Sequence, residues 1–211
     1  MKVDNIFVNT QSSIKIILDK TVYFDPFGID EKIGDADIIF ITHDHYDHMD
    51  EKSINNVKND STIVVAPKSM EDVINKIKFK DYIYLNPGEE TNIYGINVKT
   101  IPAYNVLKPF HPKRNNYLGY VVSYNEITYY IAGDTDRTKE AESVLCDIAL
   151  LPIGGHFTMD ASDAAKLVKK INPKVVIPTH YGSIVGNKTD SKKLIDNLSD
   201  TNIKVIEKLF T

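Results

Sequence analysis

Residues 37–48 read Asp-Ile-Ile-Phe-Ile-Thr-His-Asp-His-Tyr-Asp-His, an apolar run that leads directly into a cluster of histidines and aspartates. The isoleucine-rich half, residues 37–41, predicts a strand that is buried on both faces. The polar half begins where that strand ends. Because a rigid sheet commonly positions a loop that carries chemistry, this junction predicts a functional site at a strand end.

The spacing of the polar half points to metal binding. His43 and His45 are two residues apart, so on an extended segment they point to the same side. Asp47 and His48 are adjacent and point away from that pair. Imidazole nitrogens suit zinc, iron or manganese, whereas oxygen ligands alone would suit magnesium or calcium. The spacing therefore favours two metal ions, one held by each pair.

Further ligands must come from elsewhere in the chain. The three other histidines are His111, His156 and His180. His180 follows a predicted apolar strand, and so does Asp134 in the segment Ala-Gly-Asp-Thr-Asp. Both are polar residues at strand ends, where sites are commonly built.

The remaining pattern predicts a β-rich first half and an alternating second half. The expected strands are 6–9, 14–18, 22–25, 37–41, 62–66, 82–85, 90–94, 96–101, 117–124, 127–132, 147–151, 174–178 and 203–206. The expected helices are 51–57, 67–78, 138–145, 160–171 and 190–197. Two mixed sheets packed on each other with helices outside would fit this order.

Taken in order, residues 43–48, Asp134 and His180 resemble the signature residues of the metallo-β-lactamase superfamily. Pro152-Ile153-Gly154-Gly155 followed by Thr158-Met159-Asp160 further resembles a branch of small bacterial and archaeal hydrolases. That branch is similar to L-ascorbate-6-phosphate lactonase and, more distantly, to N-acylphosphatidylethanolamine phospholipase D.

The resemblance implies one metallo-β-lactamase-like domain over residues 1–211, of the α+β or α/β class. Its fold would be a four-layer αββα sandwich of two mixed β-sheets with a dinuclear site at one edge. The first metal would be held by a third histidine together with His43 and His45. The second would be held by Asp47, His48 and His180, with Asp134 bridging the two.

The third ligand of the first metal is open between two residues. Asn105 occupies roughly the slot where relatives place a histidine, and His111 lies six residues later. We favour His111, because imidazole binds zinc far better than a neutral amide does. In the alternative, Asn105 lies near the metal and His111 contacts substrate.

The expected activity is that of a metal-dependent hydrolase with two divalent ions, zinc first and manganese or iron as alternatives. A dinuclear metal-bound hydroxide would attack an ester, lactone or phosphodiester of a small-molecule substrate. Asp47 is the candidate to pass a proton to the leaving group, and Asp134 is the second candidate catalytic residue.

Three further assignments are weaker. His156 follows two glycines and is either a surface residue or a substrate contact. Asp25 is either a turn residue or a hydrogen-bond partner that orients a ligand histidine. The loops expected to decide the substrate are residues 25–34, 103–116 and 153–159.

Composition argues against other classes of protein. The net charge is −4 and no basic run occurs, so we expect no nucleic-acid partner, although a nucleic-acid phosphodiesterase stays an alternative. Diiron oxidoreductases of this fold usually replace the second motif histidine with glutamate, whereas this chain has His45. A non-catalytic metal-binding protein is the remaining alternative.

The single cysteine, Cys146, rules out an intramolecular disulfide and favours a cytoplasmic location. No apolar run is long enough for a signal peptide or for a bilayer span, so we expect no membrane partner. The sequence does not indicate an oligomeric state.

Overall fold

The computed structural model describes residues 3–208, which form two mixed β-sheets and four α-helices. The first sheet has six strands in chain order, with β1–β3 antiparallel and β3–β6 parallel. Its strands are β1 (Ile6–Val8), β2 (Ile14–Ile17), β3 (Thr21–Phe24), β4 (Ala36–Phe40), β5 (Lys58–Pro67) and β6 (Asp81–Leu85).

The second sheet has seven strands in the order β13-β12-β11-β10-β9-β8-β7. Strands β7–β10 pair antiparallel, and β10–β13 pair parallel. They are β7 (Glu90–Ile93), β8 (Ile96–Pro102), β9 (Leu118–Tyr124), β10 (Ile127–Ile131), β11 (Ile148–Pro152), β12 (Val175–Thr179) and β13 (Lys204–Val205).

The helices are α1 (Glu51–Val57), α2 (Glu71–Ile74), α3 (Ala161–Ile171) and α4 (Asp190–Asn197). Strand β4 illustrates the layering, because its side chains alternate between two apolar clusters. Ile38 and Phe40 belong to the core between the sheets, whereas Ile39 packs in the cluster beneath α1 and α2. The predicted αββα sandwich with two mixed sheets is confirmed.

Helix α3 begins and ends where the sequence predicts. The Asp160 carboxylate accepts a hydrogen bond from the Asp163 backbone N–H at 2.8 Å and caps the first turn. Asn172 ends the helix in a left-handed conformation. Ala164, Val168 and Ile171, spaced by three or four residues, are buried against the second sheet.

Two predicted helices are shorter than expected. Residues 67–78 contain a 3-10 turn and the single-turn helix α2, and Pro67 still belongs to β5. Helix α2 ends in Val73 and Ile74 and is followed by Asn75, and all three residues have weak helix propensity. Residues 138–145 form only a 3-10 turn at Ala141–Ser143, where the Thr138 hydroxyl accepts from the Ala141 N–H.

Tyr120 of β9 joins the two sheets beside the polar cluster. Its ring packs 5.0 Å from that of Phe40, and its hydroxyl donates a 2.7 Å hydrogen bond to the Ile41 carbonyl. The residues that lead into the cluster are thereby fixed from both sheets. Within residues 3–208, no helix has the length and apolar character needed to cross a membrane.

Candidate metal centre

The predicted ligands gather at one edge of the sandwich, where four strands end. Residues 43–48 follow β4, His111 lies between β8 and β9, Asp134 follows β10, and His180 follows β12. Six of these seven side chains form two groups whose ligand atoms lie within 4.8 Å of one another, and Asp134 lies between them.

The first group consists of His43, His45 and His111. His111 Nε2 lies 3.2 Å from His45 Nδ1, and the His43 and His111 rings are 4.9 Å apart. His43 and His111 are buried, while His45 is half-buried and faces the pocket described below. The structure thus places three imidazoles around one position.

The second group consists of Asp47, His48 and His180. His180 Nε2 lies 3.2 Å from Asp47 Oδ2, and His48 Nε2 lies 3.7 Å from the same oxygen. All three residues are buried. Two imidazole nitrogens and a carboxylate therefore converge on a second position.

Asp134 lies between the two groups. Its Oδ2 atom is 3.5 Å from His111 Nε2 of the first group and 3.3 Å from His180 Nε2 of the second. Its Oδ1 atom is 3.4 Å from His48 Nε2. The carboxylate thus faces both positions, as the resemblance implies for a bridging ligand.

Gly133 and Gly154 allow this close approach of loops. Gly133 has a φ of +63°, and a Cβ there would lie 3.1 Å from the Thr42 side chain. A Cβ on Gly154 would lie only 2.3 Å from the carbonyl oxygen of His180. Glycine at these positions brings Asp134 and His180 up to the histidine motif.

Asp25 orients His48 and fixes the start of the motif. Its Oδ2 atom accepts from the Thr42 hydroxyl at 2.6 Å and lies 2.8 Å from His48 Nδ1, and its Oδ1 atom accepts from the Thr42 N–H at 2.8 Å. Asp25 is buried, with a φ of +45°. The structure supports the second of its two predicted roles, a partner that orients a ligand histidine.

These contacts set the tautomers of two histidines. The Thr42 hydroxyl gives its only proton to Asp25, so its oxygen accepts from His43 Nδ1–H at 2.9 Å. His48 Nδ1–H likewise donates to Asp25. Each ring therefore keeps a proton on Nδ1 and turns its Nε2 atom into the site.

Unpartnered polar atoms test whether this donor set fits metal ions. In the described part of the chain, the buried side-chain atoms without a hydrogen-bond partner are His43 Nε2, His48 Nε2, Asp134 Oδ1 and His180 Nδ1. All four belong to predicted ligands, and a buried polar atom without a partner costs about 1–3 kcal/mol. His180 faces the site with its other nitrogen, Nε2, whereas the unpartnered His43 Nε2, His48 Nε2 and Asp134 Oδ1 belong to the converging set. Imidazole nitrogens and a carboxylate oxygen in such a set fit a transition-metal centre.

Electrostatics place most of these groups in their metal-binding forms. Burial lowers the pKa of His43 well below its usual value and that of His111 to about 4, so both are neutral near pH 7. Burial opposes ionisation of Asp47, but its hydrogen bond to His180 and the nearby imidazoles lower its pKa to about 2. Neutral imidazoles and ionised carboxylates are the forms that bind cations.

Asp134 and His48 are strongly coupled. Burial raises the pKa of Asp134, but His180 and His48 outweigh it and hold that pKa well below the usual value. Burial lowers the pKa of His48, but Asp134 and Asp25 outweigh it and raise that pKa well above normal. A cation that binds beside His48 therefore replaces a proton.

Asn105 supports His111 and is not itself in the first group. Its Oδ1 atom accepts from the His111 backbone N–H and lies 3.1 Å from His111 Nδ1. Its amide nitrogen donates a 2.8 Å hydrogen bond to the Phe157 carbonyl. Of the two residues left open for the third ligand, the structure brings His111 together with His43 and His45, whereas Asn105 contacts His111.

Sequence reasoning missed Gln11, which lies in the turn between β1 and β2. Its side-chain nitrogen lies 3.2 Å from Asp47 Oδ2 and 3.3 Å from His180 Nε2. Its backbone carbonyl accepts from the His180 N–H at 2.9 Å. The residue is buried and has a φ of +49°. No spacing rule connects a glutamine in an N-terminal hairpin with this site.

An open pocket of about 670 Å³ lies over the metal centre. It is lined by Asp44, His45, Tyr46, Asp47, Phe110, Asp134, Phe157, His180, Ile184 and Val185. Two of the three predicted substrate loops contribute, through Phe110 and Phe157. The loop at 25–34 supplies no lining residue, and residues 184–185 were not predicted.

His156 does not line the pocket. Its side chain is exposed and packs beside Phe110 and Phe157, with ring centroids 5.2 and 4.6 Å away. Of its two predicted roles, the structure favours the surface position, behind the aromatic wall of the pocket.

A family model described as the beta-lactamase superfamily domain matches residues 9–180. A UPF0173 metal-dependent hydrolase from Pyrococcus horikoshii is 33% identical over 205 residues, which cover 90% of this chain and 88% of the relative. A UPF0173 metal-dependent hydrolase from Thermoplasma acidophilum is 35% identical over 175 residues, 78% of this chain and 77% of the relative. The chain belongs to the UPF0173 metal-dependent hydrolases of the beta-lactamase superfamily.

A solved structure agrees with this assignment. The crystal structure of a protein named as a metal-dependent hydrolase, from Parabacteroides distasonis, superposes with a TM-score of 0.83 at 29% identity. The match covers 97% of this chain and 92% of that one. The predicted superfamily is confirmed, whereas the narrower resemblance to L-ascorbate-6-phosphate lactonase stays a prediction.

Proposed function

We propose that this UPF0173 member hydrolyses an ester, lactone or phosphodiester of a small molecule with the help of two divalent metal ions. The observation that carries the proposal is the convergence of seven side chains beneath an open pocket, with four buried ligand-type atoms unpartnered. A site used only for folding needs no such opening, whereas a catalytic site does.

His43, His45 and His111 would hold one ion, and a second set would hold the other. The second set is Asp47, His48 and His180, with Asp134 shared between the two ions. When bound, such ions would supply Lewis acidity that makes water more acidic and polarises a carbonyl or phosphoryl group, so that its carbon or phosphorus becomes more electrophilic.

The chain's own groups have distinct tasks around that chemistry. Asp25 and Thr42 hold the Nε2 lone pairs of His48 and His43 toward the site, and Asn105 does the same for His111. Asp47 faces the pocket and can take a proton at a carboxylate oxygen and deliver it to a leaving group. Asp134 lies deeper and supplies fixed negative charge.

Zinc is the metal we propose, with manganese or iron as the alternatives. Besides the shared Asp134, the first position offers three nitrogen donors and the second offers two nitrogens and a carboxylate, a set that suits zinc and disfavours magnesium or calcium. We also propose a cytoplasmic location, because the single cysteine gives the chain no intramolecular disulfide.

The test is elemental analysis of protein purified without chelators, in air and anaerobically, followed by a panel of esters, lactones, thioesters and phosphodiesters. We expect two zinc ions per chain and hydrolysis that a chelator abolishes and added zinc restores. Two irons with a redox signal would support oxidoreductase chemistry instead. A metal-loaded protein that hydrolyses nothing in the panel would argue for a non-catalytic metal protein.

A further inference from the structure

We propose that the pocket selects substrates whose non-reacting part is apolar and uncharged, such as an alkyl- or aryl-substituted lactone or ester, and rejects those with an anionic group away from the reacting bond. This inference rests on the proposed function, because it assigns the substrate class of the same site. It narrows the candidate substrates, since a phosphorylated lactone, as the resemblance to L-ascorbate-6-phosphate lactonase would imply, carries an anionic group besides the reacting bond.

Apolar side chains from three loops form the walls of the pocket. Phe110 and Phe157 make one wall, with their rings edge to face at 4.6 Å. Ile184 and Val185 belong to the loop that follows His180 and face the same space. Tyr46 stands at the motif loop, with the Phe27 ring edge-on at 6.0 Å. Apart from Asp44, the carboxylate and imidazole side chains of the lining are predicted metal ligands, namely His45, Asp47, Asp134 and His180.

The rim of this pocket exposes large apolar side chains to solvent. Ile184 is 49% exposed and Tyr46 is 66% exposed. Contiguous apolar side chains around a cleft commonly mark a place where an apolar ligand is bound, because burial of that surface is favourable. A volume of about 670 Å³ suits a small organic molecule.

Among residues 3–208, the lining of this pocket contains no positively charged side chain outside the predicted metal ligands. No lysine or arginine is among the pocket-lining residues of the described chain. Lys108, from the same loop as Phe110, is bound to the Asp136 carboxylate and the Thr158 carbonyl, each at 2.6 Å. An anionic group remote from the metals would therefore find no cationic partner in the pocket lining, and burial of an unpaired charge is costly.

Asp44 makes the rim still less favourable for anions. Asp44 is a lining residue of the pocket, and its carboxylate accepts a 2.5 Å hydrogen bond from the Tyr117 hydroxyl. The carboxylates of Asp47 and Asp134 face the positions assigned to metal ions, whereas Asp44 belongs to neither ligand group. Its negative charge adds repulsion to the lack of a cationic partner.

The test compares γ-lactones with alkyl chains of increasing length against lactones of matched length whose chain ends in a carboxylate. With zinc-loaded protein, we expect kcat/KM to rise about two- to fourfold per methylene while the chain stays in the pocket. We expect the terminal carboxylate to lower kcat/KM about tenfold or more. Binding of the corresponding lactams, measured by calorimetry, should follow the same order.

Three variants connect the selectivity with the walls. Phe110→Ala and Phe157→Ala should flatten the dependence on chain length. Ile184→Lys should raise kcat/KM for the carboxylate-ended lactones relative to the neutral ones about tenfold. Ile195→Lys is the matched control, because Ile195 is similarly exposed, 42% against 49%, but lies on α4 outside the pocket lining. It should leave the ratio unchanged.

The outcomes separate this inference from the proposed function. Hydrolysis that favours the anionic series, or lactam binding that ignores chain length, would overturn the inference while the hydrolase assignment stands. Lactam binding that strengthens with chain length, without hydrolysis of any substrate in the panel, would support the apolar pocket and overturn the hydrolase assignment. If the protein neither bound the lactams nor hydrolysed any substrate in the panel, the inference and the hydrolase assignment would both be overturned.

Discussion

The two ligand groups differ in where their supporting contacts come from. In the first group, Thr42 supports His43 from the adjacent position, and Asn105 supports His111 from six residues away. In the second group, Asp25 supports His48 across 23 residues. Gln11 contacts Asp47 across 36 residues.

This difference makes the second group the more dependent on tertiary structure. Its supports lie on the hairpin between β1 and β2 and on the loop after β3, so the first sheet must be in place before they reach the site. The first group needs only residues 42–45 and the loop that carries both Asn105 and His111. We therefore expect substitutions in the N-terminal strands and turns to affect the second metal position more than the first.

Removal of one ligand from each group should give the largest effect. His111→Ala should lose one ion and His180→Gly the other, each with a fall in kcat/KM of about 100-fold or more. Glycine is chosen at position 180 because His180 has a φ of +54°, where alanine would be strained. Zinc content by elemental analysis checks both. An H111A protein that retains two ions would refute its assignment as the third ligand of the first position.

Asp25→Asn should give the next largest effect, on the second position. Asparagine tolerates the left-handed backbone, but its NH₂ group must face the Thr42 or His48 donors that the carboxylate accepts from. We expect zinc affinity at one position to fall about 10- to 100-fold. We also expect the metal-free protein to lose about 3 kcal/mol in the free energy of unfolding.

Zinc titration and urea unfolding measure these two losses. Asp30→Asn is the matched control, because Asp30 pairs with Lys52 at an exposed site and its loss should leave the urea midpoint nearly unchanged. If D25N kept both affinities and full stability, Asp25 would be only a turn residue.

Asn105→Ala should have a smaller effect, confined to the first position. It removes the acceptor that lies 3.1 Å from His111 Nδ1, while the His111 ring remains. We expect about a tenfold loss of zinc affinity at one of two positions. Asn105→Asp, which keeps an acceptor, should restore most of that affinity. Equal losses in both variants would mean that the bond to the Phe157 carbonyl matters more.

Gln11→Asn should give the smallest effect, a few-fold loss of affinity at the second position. The shorter amide tolerates the φ of +49° but no longer reaches Asp47 or His180. Because the two ligands keep their own positions, only their orientation relaxes. Zinc titration of this variant beside N105A compares the two groups directly. A larger loss for Q11N than for D25N would reverse the order of importance that we assign to the supports.

The fold and the ligand types could be predicted because they depend on short patterns. The short isoleucine-rich run at 37–41 marks β4, whose two faces are both buried, and Asp160 caps α3 where expected. The chain order of Asp134 and His180, read beside a known superfamily, pointed to the remaining ligands. The helix prediction was wrong in extent where the helical pattern was weakest, as at 67–78. A few apolar residues at helical spacing do not outweigh poor helix propensity and a strand that continues through Pro67.

The sequence by itself determined the strand-to-loop junction at 37–48, the nitrogen-rich ligand chemistry and the two-sheet architecture. Only the tertiary structure brought His111 rather than Asn105 to His43 and His45, brought Gln11 to Asp47, and placed Ile184 and Val185 over the site. The physical reason is that ligand identity is a property of residue type and spacing. Orientation and pocket lining instead depend on contacts between loops that are far apart in the chain and meet only when both sheets have packed.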